Sequence, residues 1–156
     1  MIPLSRNAFV IKYYPFVKNI TSGTGIFIET LMAQAILESQ GKVNGVYLVG
    51  GSLLAKNYNN LFGIKASSGW QGSAVNLKTR EVFANQNVTI TDTFRVYDSP
   101  ESSMKDYVNF LKVNPRYTKA GVFTAANYKD QAAALKKGGY ATDPNYATLV
   151  GKLGDQ

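Results

Sequence analysis

The chain has 156 residues, enough for one domain with its own core, and its 45% hydrophobic and 17% charged content is that of a soluble globular protein. It contains no cysteine and no histidine. Disulfides, thiolate nucleophiles, Cys- or His-ligated metals and the Ser-His-Asp triad are therefore excluded, and acid–base chemistry falls to Asp, Glu, Lys or Tyr. Seventeen Lys and Arg against ten Asp and Glu give +7. That balance suits an anionic partner such as a wall polymer carrying phosphate and carboxylate, or serves solubility. The cations are scattered and never interleaved with aromatics in a block, so no nucleic-acid partner is expected.

The opening stretch "MIPLSRNAFVIKYYPF" is interrupted by Arg6, Lys12 and Pro15 and lacks a secretory pattern. No window approaches ~18 consecutive apolar residues, so no membrane insertion is expected. A first helix is predicted over 5–19. "TSGTG" at 21–25 then breaks the chain and caps a second helix over 25–39. The Gly-rich residues 40–51 read as a loop, and Ser52 caps a short helix, "LLAKNY". The period then changes to two. Val75, Leu77, Thr79, Glu81 and Phe83 share one face, and so do Val88, Ile90, Asp92, Phe94 and Val96, with "ANQN" as the hairpin turn. Pro100 opens a further helix through "MKDYVNFLKV". "QAAALKK" forms another, stopped by "GGY", and "DPNYATLVGKL" the last. The fold class expected is α+β, mostly α. One domain spans 1–156, with a helical lobe, a small inserted β-hairpin lobe at about 73–97, and a cleft between them.

Glu38 stands out on the second helix. It is seven residues from Leu31, which places the two within about 20° on a helical wheel, whereas Glu29 falls about 160° away. The reading is an inward carboxylate, which must be paired, hydrogen-bonded or protonated, and a protonated carboxyl is what a general acid needs. Glu81 faces it from the β-lobe. Two carboxylates across a cleft, without histidine, a nucleotide loop or metal ligands, point to glycoside hydrolysis. No metal or other cofactor is called for.

Eight blocks occur in order: "QAILES" (34–39), "SLLAKNYNNLFGIKA" (52–66), "WQG" (70–72), "VNLKTRE" (75–81), "FRVYDSPESS" (94–103), "DYVNFL" (106–111), "RYTKA" (116–120) and "GYATDPNYA" (139–147). Together they resemble the peptidoglycan N-acetylglucosaminidases of glycoside hydrolase family 73 and the flagellar-rod hydrolases. The resemblance implies a lysozyme-like fold and hydrolysis of the β-1,4 bond after N-acetylglucosamine in the wall glycan. It assigns the catalytic acid to Glu38, the second carboxylate to Glu81 and an active-site tyrosine to Tyr140. A 2-acetamido substrate can also supply its own nucleophile, leaving Glu81 to orient it or to activate water. Family members commonly carry "ES-G-W-G" after the acid. This chain instead reads "ESQGKVNGVYLVGGS", a longer loop without that tryptophan.

Further candidates are less specific. Trp70, between Gly and Ser residues, is either a sugar-stacking ring or an anchor for the β-lobe. Asn60 and Phe62 form a turn near the cleft floor and are candidate substrate contacts. Asp98, Asp106 and Asp143 read as helix-terminus or solvated residues, and Arg95 as locally paired. The partner expected is the peptidoglycan glycan strand, met by a monomer in the periplasm or outside the cell, after export by other means or as a phage lysin. Two rivals remain: a lytic transglycosylase, which needs one Glu, and a non-catalytic wall-binding or virion domain.

Overall fold

Ser5 opens the first helix by accepting a hydrogen bond from the Ala8 N–H (3.2 Å). The helix, α1 (Arg6–Thr21), buries Phe9, Tyr13, Val17 and Thr21 at four-residue intervals along one stripe. The computed structural model describes residues 1–67 and 69–140, and for residues 79–83 the backbone alone. The helix expected over "DPNYATLVGKL" lies outside the described residues.

The second helix, α2 (Ile28–Ser39), starts three residues later than expected. Gly25 has φ +85°, and a Cβ there would sit 2.8 Å from the Phe123 carbonyl, so the chain is still turning at that point. Phe27 caps α2 without a side-chain bond. Its N–H is instead taken by Gln131 Oε1 (2.9 Å), whose Nε2 donates to the Gly25 and Val122 carbonyls (2.7 and 2.8 Å). One buried glutamine from the far end of the chain thus does the work assigned to "TSGTG".

Residues 40–51, expected as a loop, contain a hairpin: β1 (Gly41–Val43) pairs antiparallel with β2 (Val46–Leu48). Asn44 and Gly45 make the turn at φ 51° and 83°, the two-residue geometry that Asn-Gly favours. The "NG" between valines was a readable signal that the Gly-rich context obscured. α3 (Leu53–Tyr58) follows, capped by Ser52 as expected and ended by Asn59 in the left-handed region.

The larger hairpin pairs β3 (Ala74–Phe83) with β4 (Gln86–Arg95). Its turn is Ala84–Asn85, at φ 50° and 64°, two residues rather than the four expected. The register sets Val75 opposite Phe94, Leu77 opposite Asp92 and Glu81 opposite Val88, so the predicted period-two face is kept. The open end joins the body through Ala66 N–H to Thr93 O (2.8 Å) and Arg95 N–H to Ile64 O (3.1 Å), and Val96 N–H to Ser73 O (2.9 Å) extends the hairpin's own ladder.

α4 (Pro100–Val113) is capped by Ser99 and buries Met104, Tyr107, Val108 and Leu111, the spacing of one helical face. α5 (Pro115–Ala120), which the sequence reading did not separate, ends at Gly121 with φ 92°, and a 3-10 turn leads to α6 (Tyr128–Lys137). α1 and α6 pack against α2, whose residues Thr30 to Ile36 are buried all round. Phe9, Leu31, Ile36, Leu61, Tyr107, Tyr117 and Leu135 are fully buried at the centre of the core, each worth about 1.5–3 kcal/mol of burial. The architecture is mixed α+β as expected, with two small antiparallel sheets among the described residues instead of one. No helix among the described residues is long and apolar enough to cross a membrane.

Candidate active site

Glu38 reaches a cavity of about 670 Å³ from the last turn of α2. The cavity is bounded on one side by the 62–67 segment and on the other by Phe110, Asn114, Arg116, Tyr117 and Tyr140. The inward reading of Glu38 needs correction: the side chain is exposed. A helical wheel gives an angle and no depth. Glu38 shares Leu31's angle but lies about 10 Å further along the axis, where the cavity opens. Burial therefore does not hold this carboxylate. Its Oε1 accepts from Gln34 Nε2 (3.3 Å), one turn back on the same helix, and its Oε2 lies toward Gly63. Gly63, at φ 66°, turns the facing loop, and a Cβ there would stand 3.7 Å from Oε2.

Tyr140 lines the same cavity, so the structure brings these two expected site residues together. Its ring meets Tyr107, Tyr117 and Phe110 edge-on at 5.6, 5.9 and 6.0 Å, and its hydroxyl donates to the Phe62 carbonyl (3.2 Å). Such a half-buried aromatic cluster holds the ring in one orientation.

Asn60 and Phe62 behave as support. Asn60 is buried, and its amide is saturated: Nδ2 donates to the Ile64 and Arg95 carbonyls (3.0 and 2.9 Å), and Oδ1 accepts from the Phe62 and Ile64 N–H groups (3.3 and 3.2 Å). No group is left for a ligand. The Phe62 ring is buried and stacked on Tyr107 at 4.3 Å. What Phe62 contributes to the cavity edge is the carbonyl that Tyr140 binds.

Trp70 is absent from the Glu38 cavity. It lines a second, smaller one of about 340 Å³, which shares Ser67, Phe110 and Asn114 with the first. The Arg95 guanidinium lies 4.4 Å over its ring, Tyr97 meets it edge-on at 5.9 Å, and its Nε1 donates to the Ser73 carbonyl (3.0 Å). Those contacts support the anchoring role. Glu81 lies in β3, about 23 Å along the strand from Ala74 and near the turn, far from the end that joins the body.

Arg95 pairs locally as expected, with Nη1 2.8 Å from Asp106 Oδ2, and the two side chains are only 12% and 15% exposed. The sequence places Asp106 at a helix terminus or in solvent. In fact it anchors the hairpin's base, because it also accepts from the Tyr97 hydroxyl. Burial first, then Asp106, pushes the Tyr97 phenol well above its usual range. Sequence reasoning also passed over Arg116, Asn114 and Gly63. Two of these lie in blocks quoted for the resemblance, but nothing local marks them as cleft residues. No group of His, Cys, Asp and Glu among the described residues could hold a metal ion.

Residues 14–156 match the glucosaminidase family, described as mannosyl-glycoprotein endo-beta-N-acetylglucosaminidase. The peptidoglycan hydrolase FlgJ of Vibrio cholerae is 39% identical over 146 residues, covering 94% of this chain and 42% of that protein. A protein of Lactococcus lactis subsp. cremoris described as a probable N-acetylmuramidase is 36% identical, covering 96% of this chain and 33% of that protein. The crystal structure of the catalytic domain of the autolysin Auto from Listeria monocytogenes superposes with a TM-score of 0.74 at 32% identity, covering 95% of this chain and 81% of that one. The chain belongs to the glucosaminidase family of glycoside hydrolases. It spans less than half the length of the curated relatives it matches.

Proposed function

We propose that the chain cleaves peptidoglycan by hydrolysing the β-1,4 bond after N-acetylglucosamine, with Glu38 as general acid. The observation that carries this reading is a Glu38 carboxylate opening into the cavity that Tyr140 also lines, inside a domain of this family. Gln34 steadies Oε1, and proton delivery to the leaving glycosidic oxygen falls to Oε2 on the Gly63 side. The opposite face of the sugar is served by Glu81 from the hairpin or by the substrate's own acetamido group. Tyr140, fixed by its aromatic neighbours, lies along the path of the sugar at that centre. The action belongs at the cell wall, outside the cytoplasm.

Reducing-end release from purified sacculi by wild type and Glu38→Gln tests the assignment. A loss of about 100-fold or more is expected for a general acid, and an unchanged rate sinks the role. Glu81→Gln tests whether Glu81 takes part on the opposite face. A loss of about 100-fold makes Glu81 part of the chemistry on that face, as base, nucleophile or orienter of the acetamido group, and a loss below about tenfold leaves that face to the acetamido group without Glu81. The Lactococcus relative's name favours a second reading, cleavage after the muramyl unit. Borohydride reduction and mass spectrometry of the products decide: reduced N-acetylglucosamine ends support the first reading, reduced muramyl ends the second, and 1,6-anhydro ends a transglycosylase.

A further inference from the structure

Among the described residues, three charged side chains line the Glu38 cavity: Glu38 itself, Lys65 and Arg116. Lys65 is occupied, with its Nζ 3.0 Å from Asp92 Oδ2. Arg116 is not, since among the described residues no carboxylate lies within ion-pair distance of it. It is nevertheless held in place. Its Nη2 donates to the hydroxyl of fully buried Tyr117 (2.8 Å), and its guanidinium lies 4.8 Å over that ring. Burial pushes the Tyr117 phenol upward, so this acceptor is neutral, and among the described residues the exposed Arg116 has no protein counter-charge. A guanidinium has five N–H donors in a rigid fork that matches a carboxylate, and Tyr117 uses one. An oriented, unpaired arginine in a cleft is a receptor for an anion. On a wall glycan the available anions are carboxylates: the lactyl group of a muramyl unit, or the acids of its peptide stem.

We propose that Arg116 binds a carboxylate of the glycan and selects acidic wall glycan over a neutral chain of N-acetylglucosamine. The proposal rests on the cleft being the glycan site. Binding is the readout, so the result does not depend on which bond is cut. Glu38→Gln, alone and combined with Arg116→Gln or Arg116→Lys, is titrated calorimetrically with three saccharides of equal length: stem-bearing, stem-free with the lactyl carboxylate exposed, and N-acetylglucosamine only. Arg116→Gln is expected to weaken an acidic saccharide about tenfold, the scale of one charge-assisted contact, and Arg116→Lys to keep part of that affinity. The neutral chain should change by less than about twofold. Weakening of the stem-bearing saccharide alone assigns the stem, and of the stem-free one alone the lactyl group. Equal weakening of all three, which would mark a role in packing Tyr117, overturns the proposal, and so does no change in either acidic saccharide. A Glu38→Gln parent that binds no saccharide overturns both this proposal and the reading of the cleft. Failure of the wild type to release reducing ends, with binding intact, overturns only the cleavage reading.

Discussion

Asn60 and Glu38 sit on the two sides of one loop and carry opposite demands. At Asn60 both amide hydrogens and the carbonyl oxygen are engaged by backbone groups inside the protein. Asn60→Ala therefore leaves four backbone partners without their bonds, and a loss of about 2–4 kcal/mol is expected in chemical denaturation. Asn60→Asp, although isosteric, should be at least as costly. It turns the donor that faces the Ile64 and Arg95 carbonyls into a third acceptor. Recovery of near wild-type stability in Asn60→Asp would show that those two bonds matter little. Glu38 is exposed, and its replacement by Gln should shift stability by less than about 0.5 kcal/mol while, if it is the proposed acid, lowering turnover about 100-fold or more. The pair separates what holds the cavity from what is proposed to act in it. The sequence separates them in part, since Glu38 stands out on its helix while Asn60 reads as a turn residue and a candidate substrate contact. Both are polar residues near a Gly-rich turn, and only the distant Arg95 carbonyl reveals that Asn60 is used up.

Among the elements, most helix starts set by local caps were legible, the Asn44-Gly45 hairpin was a local signal left unread, and junctions governed by distant contacts were not legible. Ser5, Ser52 and Ser99 cap helices because their own hydroxyls reach N–H groups three residues on, a relation written in the sequence. The start of α2 was misjudged because its cap comes from Gln131, more than a hundred residues away. The junction of the β3–β4 hairpin with α4 is of the same kind. Arg95, Tyr97 and Asp106 meet only in the fold, and Asp106 is the shared acceptor. Removing it leaves the Arg95 cation largely buried without a counter-charge. Asp106→Ala is therefore expected to lose about 3–5 kcal/mol, more than Asp106→Asn, which still offers an oxygen acceptor. Thermal unfolding of the two variants checks the order, and equal losses would mean that the charge of Asp106 is immaterial to the junction. The small hairpin makes a gentler case. Gly45 has open space around it, so Gly45→Ala costs only the left-handed backbone, about 1–2 kcal/mol.

For the molecule as a whole, the absence of histidine leaves no side chain that ordinarily titrates near neutrality, and the pH dependence of stability moves to the alkaline side. Tyr13, Tyr97 and Tyr117 are each shifted upward, in every case chiefly by burial. Their sign is the same. The folded protein binds the phenolic proton more tightly than the unfolded chain, whose tyrosines titrate near the ordinary value of about 10. The contribution of these tyrosines is thus fully present below about pH 10. Above it, the unfolded chain loses protons that the folded protein retains, and stability falls as pH rises toward the folded-state values. Tyr97 should dominate the decline, because burial and the hydrogen bond to Asp106 both keep its proton in place. The tyrosine contribution to the denaturation free energy is expected to be flat from about pH 7 to 9 and to be lost steadily beyond about pH 10. In Tyr97→Phe the loss should be shallower, set against a lower plateau, since the phenol's bond to Asp106 is gone at every pH. The slope is the diagnostic quantity: a slope in Tyr97→Phe as steep as in wild type would assign the alkaline transition to groups other than the base of the hairpin.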